Sequence, residues 1–508
     1  MNKYDLDIPI IQLPTEHGYA NWTIRHAVEG VQIFGGIGSG KTSGSGRMLA
    51  LKYLSEGFGG LVLTVKPDEK LAWEQYCKIA ERSDDLIIIE PNGSYSFNFV
   101  EYESTKSENN EALTENIVEV LKTVIRAGEE KDSGKSDDAF WESAMDMLIF
   151  NVVDLCLLAY GTLSIETMFA IVQSLPKPKI GEVKEEPKNP ESLSAFDKAY
   201  KIASEKMKAQ AIHFRDNLSI EEKKEWKTQA DFDQAISEAL PDVRLFKFLG
   251  EFFYSSFKNL SSKTRSIIEF IFSGFMYRLL RDPVYSMFCK NKSNVVPEDC
   301  IKGKIILINL PVKKYHKVGR DCQILFKYIW QRSMEKRQVT SSSRPVFLWA
   351  DEAQNFLHEH DAEYQATARS SKISTVYITQ NLPNYYACMG GQKAEYRVKS
   401  FLGTLGTKIF HANADIETNK YASELIGDAE FIDPARSVTM GSDSFSQSDS
   451  VSIKTERRVR PEMFVSLKTG SQNNSYRVEG YIHKQGDALF DGLSFKKAKF
   501  NQNYIPNS

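Results

Sequence analysis

The chain has 508 residues, of which 42% are apolar and 26% charged, with a formal net charge of -3. This is the balance of an ordinary globular protein with room for two or three domains and a large core. A protein that coats duplex through overall positive charge is excluded, so any DNA contact has to come from a local basic patch or a lined channel.

Six cysteines, Cys77, Cys156, Cys289, Cys300, Cys322 and Cys388, form no CxxC pair and read as reduced, mostly buried thiols of a cytoplasmic protein. His358 and His360 lack a third ligand and read as a solvated loop. The N-terminus, MNKYDLDIPIIQLP, has no signal-peptide pattern. The apolar stretches Met145 to Tyr160 and Ile267 to Leu280 are broken by Asp146, Asn151 and Asp154, and by Glu269 and Arg278, so no membrane span is expected.

From the N-terminus to about residue 103, short apolar runs alternate with helical patterns: VQIF, RMLALKYL, GGLVLTV, LIIIE. That alternation predicts a parallel α/β sheet. From 104 to 299 the period is helical, in NIVEVLKTVIRA, FWESAMDMLIFNVVDLCLLAY and IETMFAIVQSL. Ser219 and Glu222 have capping-box spacing, and the charged, proline-rich run 176–190 reads as a loop or tether. From 300 to 508 the α/β pattern returns with KIILINLP, ILFKYIWQRSMEKR, VFLWA and TVYIT, and the Ser/Asp-rich run 441–452 reads as a mobile loop. The expected fold is an α/β nucleotide-binding domain, 1–103 with 300–508, interrupted by an inserted all-α domain at 104–299.

Gly35–Thr42 reads GGIGSGKT and fits G-x-x-x-x-G-K-[ST] in full, between the strand VQIF and a helical run. Glycines let such a loop turn its N–H groups onto phosphate oxygens, and the helix that follows adds its positive end. Gly35, Gly36, Gly38, Ser39, Gly40, Lys41, Thr42 and Ser43 are the expected ATP-binding set. Lys41 would face the β- and γ-phosphates and Thr42 would ligate Mg²⁺. Gly44 and Gly46 fall in the first turns of the next helix, where each costs about 1 kcal/mol against alanine, and are expected to permit close packing on the sheet.

The apolar run PVFLWA ends in Asp351 and Glu352, expected to hold Mg²⁺ and to act as general base respectively. Gln380 follows the strand TVYIT, where a neutral amide can sense the γ-phosphate. Arg369 reads either as a solvated side chain or as a finger to a neighbouring subunit's nucleotide.

Together with TVKPDEK (64–70), IIIEPNGSYSFNF (87–99), FWESAMDMLI (140–149), GKIILINLP (303–311) and ARSSKISTVYITQNL (368–382), these motifs resemble the coupling-protein ATPases of conjugation and type IV secretion, the TraG/TraD group, relatives of the FtsK/HerA DNA pumps. The resemblance runs from about His26 to Phe500. It implies a RecA-like P-loop domain with an all-α domain, a homo-hexameric ring around DNA, and ATP hydrolysis that moves the strand. It assigns Arg369 as the trans-acting finger and Gln380 as the γ-phosphate sensor. Many members begin with two membrane helices, and this sequence shows none. Relaxase or secretion-channel proteins are the implied partners.

Two other readings stay open: an ATP-gated adaptor that recruits a relaxase–DNA complex or effector, and a motor in DNA processing or defence. Two basic runs, Lys313/Lys314/Lys317/Arg320 and Arg457/Arg458/Arg460, are candidate DNA contacts or plain solvated surface.

Overall fold

The computed structural model describes residues 3–106, 113–128, 138–177, 193–219, 228–358, 360–389, 394–440 and 445–506. Glu222 of the expected cap and most of the proline-rich run 176–190 lie outside the described residues. Two compact units emerge, one built of Met1–Ile88 and Pro297–Ser508 and the other of most of Ile89–Val296. The cuts at 88/89 and 296/297 stand beside 103/104 and 299/300 read from the sequence.

In the first unit a short antiparallel hairpin, β1 (Pro9–Thr15) and β2 (Gly18–Thr23), precedes the main sheet. The sheet strands are β3 (Val31–Phe34), β4 (Gly59–Leu63), β5 (Leu86–Ile89), β6 (Ile305–Ile308), β7 (Val346–Ala350), β8 (Ile373–Thr379) and β9 (Thr407–His411). A separate hairpin follows, β10 (Asp428–Met440) and β11 (Phe445–Arg457), before β12 (Arg477–Lys484) and β13 (Phe495–Asn501).

The main sheet has the order β13-β12-β9-β3-β8-β7-β4-β6-β5. The run β9-β3-β8-β7-β4-β6 is parallel, and β12 and β13 extend it antiparallel. This is the α/β class expected from the alternating pattern. The parallel strands are buried along their whole length, which is why their sequences are continuous apolar runs rather than alternating ones.

Helices Arg47–Ser55 and Glu69–Ile79 lay Leu49, Tyr53, Leu54 and Trp73 on the core. Trp73 stacks on Phe347 at 5.6 Å and meets Trp349 edge-on at 5.4 Å. Each such fully buried side chain contributes about 1.5–3 kcal/mol.

The second unit is helical. Its long members are Leu113–Gly128, Asp138–Tyr160, Ala195–Asn217 and Ser262–Leu279. Side-chain caps open several helices: Ser164 accepts from Thr167 N–H, Ser194 from Asp197 N–H, and Ser261 from Thr264 N–H. Thr228 and Asp231 form a reciprocal capping box. Within Asp138–Tyr160, the 18 residues Ser143–Tyr160 are long and apolar enough, by length and composition, to cross a membrane. Leu148, Ile149, Val152, Val153 and Cys156 of this stretch are fully buried in the protein.

Two sequence expectations are corrected. The run 441–452 is not simply a loop: from Phe445 it is β11, paired with β10 from Phe445↔Met440 to Arg457↔Asp428. Among the described side chains of this hairpin none is buried, and Phe431, Ile432, Val451 and Ile453 are exposed, so burial does not mark it as a ladder. His358 is not solvated but buried, with its Nε2 3.0 Å from Gln331 Oε1 and its N–H donating to Asp361 at 2.8 Å.

Strands β4 and β6, one on each side of the helical unit in sequence, pair directly, Gly60 opposite Ile305. At Gly59 the approach is so close that a Cβ would lie 1.9 Å from the Cys300 carbonyl oxygen. Gly59→Ala should therefore destabilise the protein by about 1–3 kcal/mol, read as a lower urea midpoint at unchanged slope.

Candidate active site

In a parallel sheet the strand C-termini share one edge. Here β3 ends in the loop Gly35–Lys41, β4 in Thr64–Lys66, β7 in Asp351–Glu352, β8 in Gln380 and β9 in His411–Asn413. The phosphate-type loop is built as its motif requires. Gly38 and Gly40 have φ of +71° and +80°, and a Cβ on Gly40 would lie 2.4 Å from Val478. Gly36 N–H donates to the Ala412 carbonyl at 2.8 Å. Ser39 and Lys41 are buried, and the Ser39 hydroxyl has no partner. Ser43 faces the other way and accepts from Gln502 at 2.7 Å.

The helix after the loop begins with a widened turn, in which Gly46 N–H reaches back five residues to the Lys41 carbonyl at 2.9 Å. The expectation for the two early glycines holds. A Cβ on Gly44 would lie 3.2 Å from Val478, and one on Gly46 would lie 3.3 Å from Ile378.

Thr42 Oγ1 donates to Asp351 Oδ2 at 2.8 Å. Asp351 is buried and its other oxygen accepts the Glu352 N–H at 2.8 Å. Burial pushes the Asp351 carboxyl up, and Lys66, Thr42 and Lys41 offset that only in part. Glu352 sits in the left-handed region at φ +49°, and its side chain accepts from Gln354 at 2.9 Å and from Gln380 at 3.2 and 3.3 Å. Burial raises Glu352 too, but those amides with Lys41 and Lys66 outweigh it and hold the carboxyl below its ordinary value. The structure thus brings Lys41, Thr42, Asp351, Glu352 and Gln380 together.

Arg369 is not among them. It ends helix Asp361–Ala368 and precedes β8, so it lies at the opposite edge of the sheet. Seven residues of strand separate it from Gln380's end, on the order of 20 Å at roughly 3.3 Å per residue.

Several site residues were not singled out from the sequence. Lys66 Nζ stands 4.0 Å from Glu352. Glu69 fastens the Lys66 loop by accepting from Val65 N–H at 2.7 Å and Lys66 N–H at 3.2 Å, and burial first, then Asp351, lifts its carboxyl to about 8. Asn413 donates to the Gln380 carbonyl at 2.8 Å. His411 braces the loop's helix: its Nδ1 donates to the Glu479 carbonyl at 2.8 Å, and its Nε2 accepts from Ser45 at 2.7 Å. Lys66 and Glu69 lay within the TVKPDEK run, and His411 and Asn413 stand at the end of the apolar strand β9 and just beyond it, so position was the usable signal for these.

Residues 345–467 match the family model described as the TraM recognition site of TraD and TraG. That span holds β7, β8 and β9 with Asp351, Glu352, Arg369 and Gln380. Across the whole chain the fold matches the bacterial conjugative coupling protein TrwB. An unbound form aligns with TM-score 0.60 and 13% identity, covering 99% of this chain and 90% of that one. The chain thus shares the TrwB fold throughout, and over residues 345–467 its sequence matches this family model. TrwB with the non-hydrolysable ATP analogue ADPNP matches at TM-score 0.58 and 14% identity, covering 95% of this chain and 88% of that one. TrwB with ADP and Mg²⁺ matches at 0.57 and 15%, covering 96% and 89%. No curated protein sequence matches.

The neutral His411 makes the fold acid-sensitive. Burial holds its imidazole down to about 4, against an ordinary 6.5. Between those values the unfolded chain binds the extra proton, so stability is full above about 6.5 and falls as pH drops toward 4, by up to about 3 kcal/mol. Melting temperatures at pH 7.5 and pH 5 should show the loss, with His483, also held to about 4, adding in the same direction.

Proposed function

We propose that this chain is an ATP-hydrolysing motor that moves DNA, or a protein–DNA complex, through a ring of its own copies. The observation that carries the reading is the joined set Thr42–Asp351 and Glu352–Gln380 beside Lys41, gathered at one sheet edge as ATP hydrolysis would require. The TrwB structures with an ATP analogue and with ADP and Mg²⁺ support it.

The residues fit a Mg²⁺–nucleotide. The loop turns through two positive-φ glycines, the Ser39 hydroxyl is buried without a partner, and Lys41 is nearly enclosed. Thr42 and Asp351 would hold the metal, which when bound offsets phosphate charge. Lys41 binds the phosphate oxygens. Glu352, kept as a carboxylate, orients and deprotonates the attacking water. Gln380 touches both Glu352 and the Asn413-bearing strand end, so it can report the state of the site to its neighbours.

Arg369 serves the adjacent subunit, because its own nucleotide site is a strand length away. For DNA, exposed Lys313, Lys314 and Lys317 are the better candidates. In the second basic run Arg457 pairs with Asp428, Arg460 with Glu456, and Arg458 donates to the Asp428 carbonyl. The adaptor reading draws on the family model's description as a TraM recognition site, which points to a protein partner.

DNA-stimulated ATPase activity separates the two: a motor is stimulated severalfold, while an adaptor's turnover is indifferent to DNA. Lys41→Ala should abolish turnover. Glu352→Gln should still bind ATP but hydrolyse it about 10² to 10⁴ times more slowly. Arg369→Ala should bind ATP normally and lose most turnover, with partial return when mixed with Lys41→Ala, whose intact arginine serves the mutant's site. No return on mixing, with specific activity flat across concentration, would remove the ring.

A further inference from the structure

Arg369 does not stand free at its edge of the sheet. Its guanidinium lies 3.5 Å from Glu29 Oε1, and the other carboxylate oxygen of Glu29 takes Lys484 Nζ at 2.7 Å. Lys484 is buried and also faces Asp487 at 3.8 Å. Asp487 in turn accepts from His26 Nε2 at 3.1 Å, while His26 Nδ1 accepts the Thr23 N–H at 3.0 Å. The imidazole is thereby assigned its neutral form, and burial followed by Lys484 depresses its basicity. The cluster then holds two anions, Glu29 and Asp487, and two cations, Lys484 and Arg369.

Glu29 is fixed whether or not the arginine is present. Its carbonyl accepts from Gly406 N–H at 2.7 Å, and a Cβ on Gly406 would lie 2.8 Å from Glu29 Cβ. The Glu29 side chain is 19% exposed and the Arg369 side chain 55%. Arg369 opens onto a cleft of about 510 Å³ that Arg25 and Lys372 also line. On the same wall Arg25 is paired with Asp7 at 2.7 Å, and Lys372 is held by the Tyr4 and Ser341 carbonyls at 2.8 and 2.7 Å, so neither competes for Glu29 at hydrogen-bond distance.

We propose that Glu29, backed by Lys484, is a positioning residue for Arg369: it holds the guanidinium at the subunit boundary, oriented to serve the neighbouring nucleotide site. This rests on the trans-acting reading of Arg369. An exposed pair of this kind is worth up to about 1 kcal/mol, so its loss should lower turnover about two- to fivefold. Glu29→Gln is the suitable change, because the amide oxygen can still accept from Lys484 and the fold should persist.

The test uses mixed rings. Lys41→Ala subunits donate Arg369, and Arg369→Ala subunits supply the working nucleotide site. Glu29→Gln is placed either in the donor or in the acceptor, and kcat and KM for ATP are measured with melting temperature as a control on folding. The expected result is a two- to fivefold lower kcat at unchanged KM when the donor carries the change, and no effect when the acceptor carries it. Equal effects in the two positions, an effect in the acceptor alone, or none in either would overturn the inference while leaving the trans arginine in place. Absence of rescue in the unmodified mixture would remove the trans reading itself, and this inference with it.

Discussion

A hydroxyl and a carboxylate 309 residues apart meet at 2.8 Å when Thr42 donates to Asp351, and the rest of the site depends on that meeting. It requires β3 and β7 to lie in one parallel sheet with only β8 between them, in register. The helical unit is inserted between these two strands in sequence, yet the sheet closes across it through the pairing of β4 with β6. The glycines of β4 make that closure possible: with Cys300 against Gly59 and Phe347 against Gly60, any side chain would push the strands apart and carry the Asp351 end with them.

Once the two ends meet, electrostatics separates two adjacent carboxylates. Asp351 is driven up by burial, while Glu352 is drawn down by the amides of Gln354 and Gln380 and by Lys41 and Lys66. In the proposed mechanism a metal's charge would offset the burial of the first, while the second is already held as the carboxylate a base must be. The backbone contributes too. Glu352 holds a left-handed conformation that a side-chain-bearing residue adopts at a cost of about 1–3 kcal/mol, and its carbonyl is secured by Asn355 N–H at 3.0 Å and Asn355 Nδ2 at 2.8 Å. That turn aims Glu352 back over the sheet edge, toward Gln380.

Much of this was legible in the sequence because its causes are local. Apolar runs without alternation mark doubly covered strands, and the loop motif states its own backbone requirement. The residues that escaped are those whose role comes from partners far along the chain. Lys66 matters only because β4 lies beside β7, and His411 only because β9 and β12 enclose it. His358 looked like a loop histidine beside His360, since nothing nearby announces the buried Lys327–Asp361 pair, at 2.6 Å, around which it packs. The hairpin β10–β11 misled for the opposite reason: composition signals strands through burial, and none of its described side chains is buried.

The same strand that carries Gln380 at one end is preceded by Arg369 at the other, and this fixes what a single copy can do. β8 is paired on both sides, to β3 and to β7, so its ends cannot approach each other. Gln380 meets Glu352 at one end of β8, and Arg369 therefore stands a strand length away from them. The buried network at the start of helix Asp361–Ala368 stiffens the link. Asp361 takes Lys327, Gln331 and Tyr377, the last from the middle of β8 itself, so a shift of the strand moves the helix that ends at Arg369. If both groups act on nucleotide, as proposed, they would act on successive sites rather than on the same one. In the proposed motor, a ring in which each copy faces the next the same way would bring each arginine to its neighbour's site.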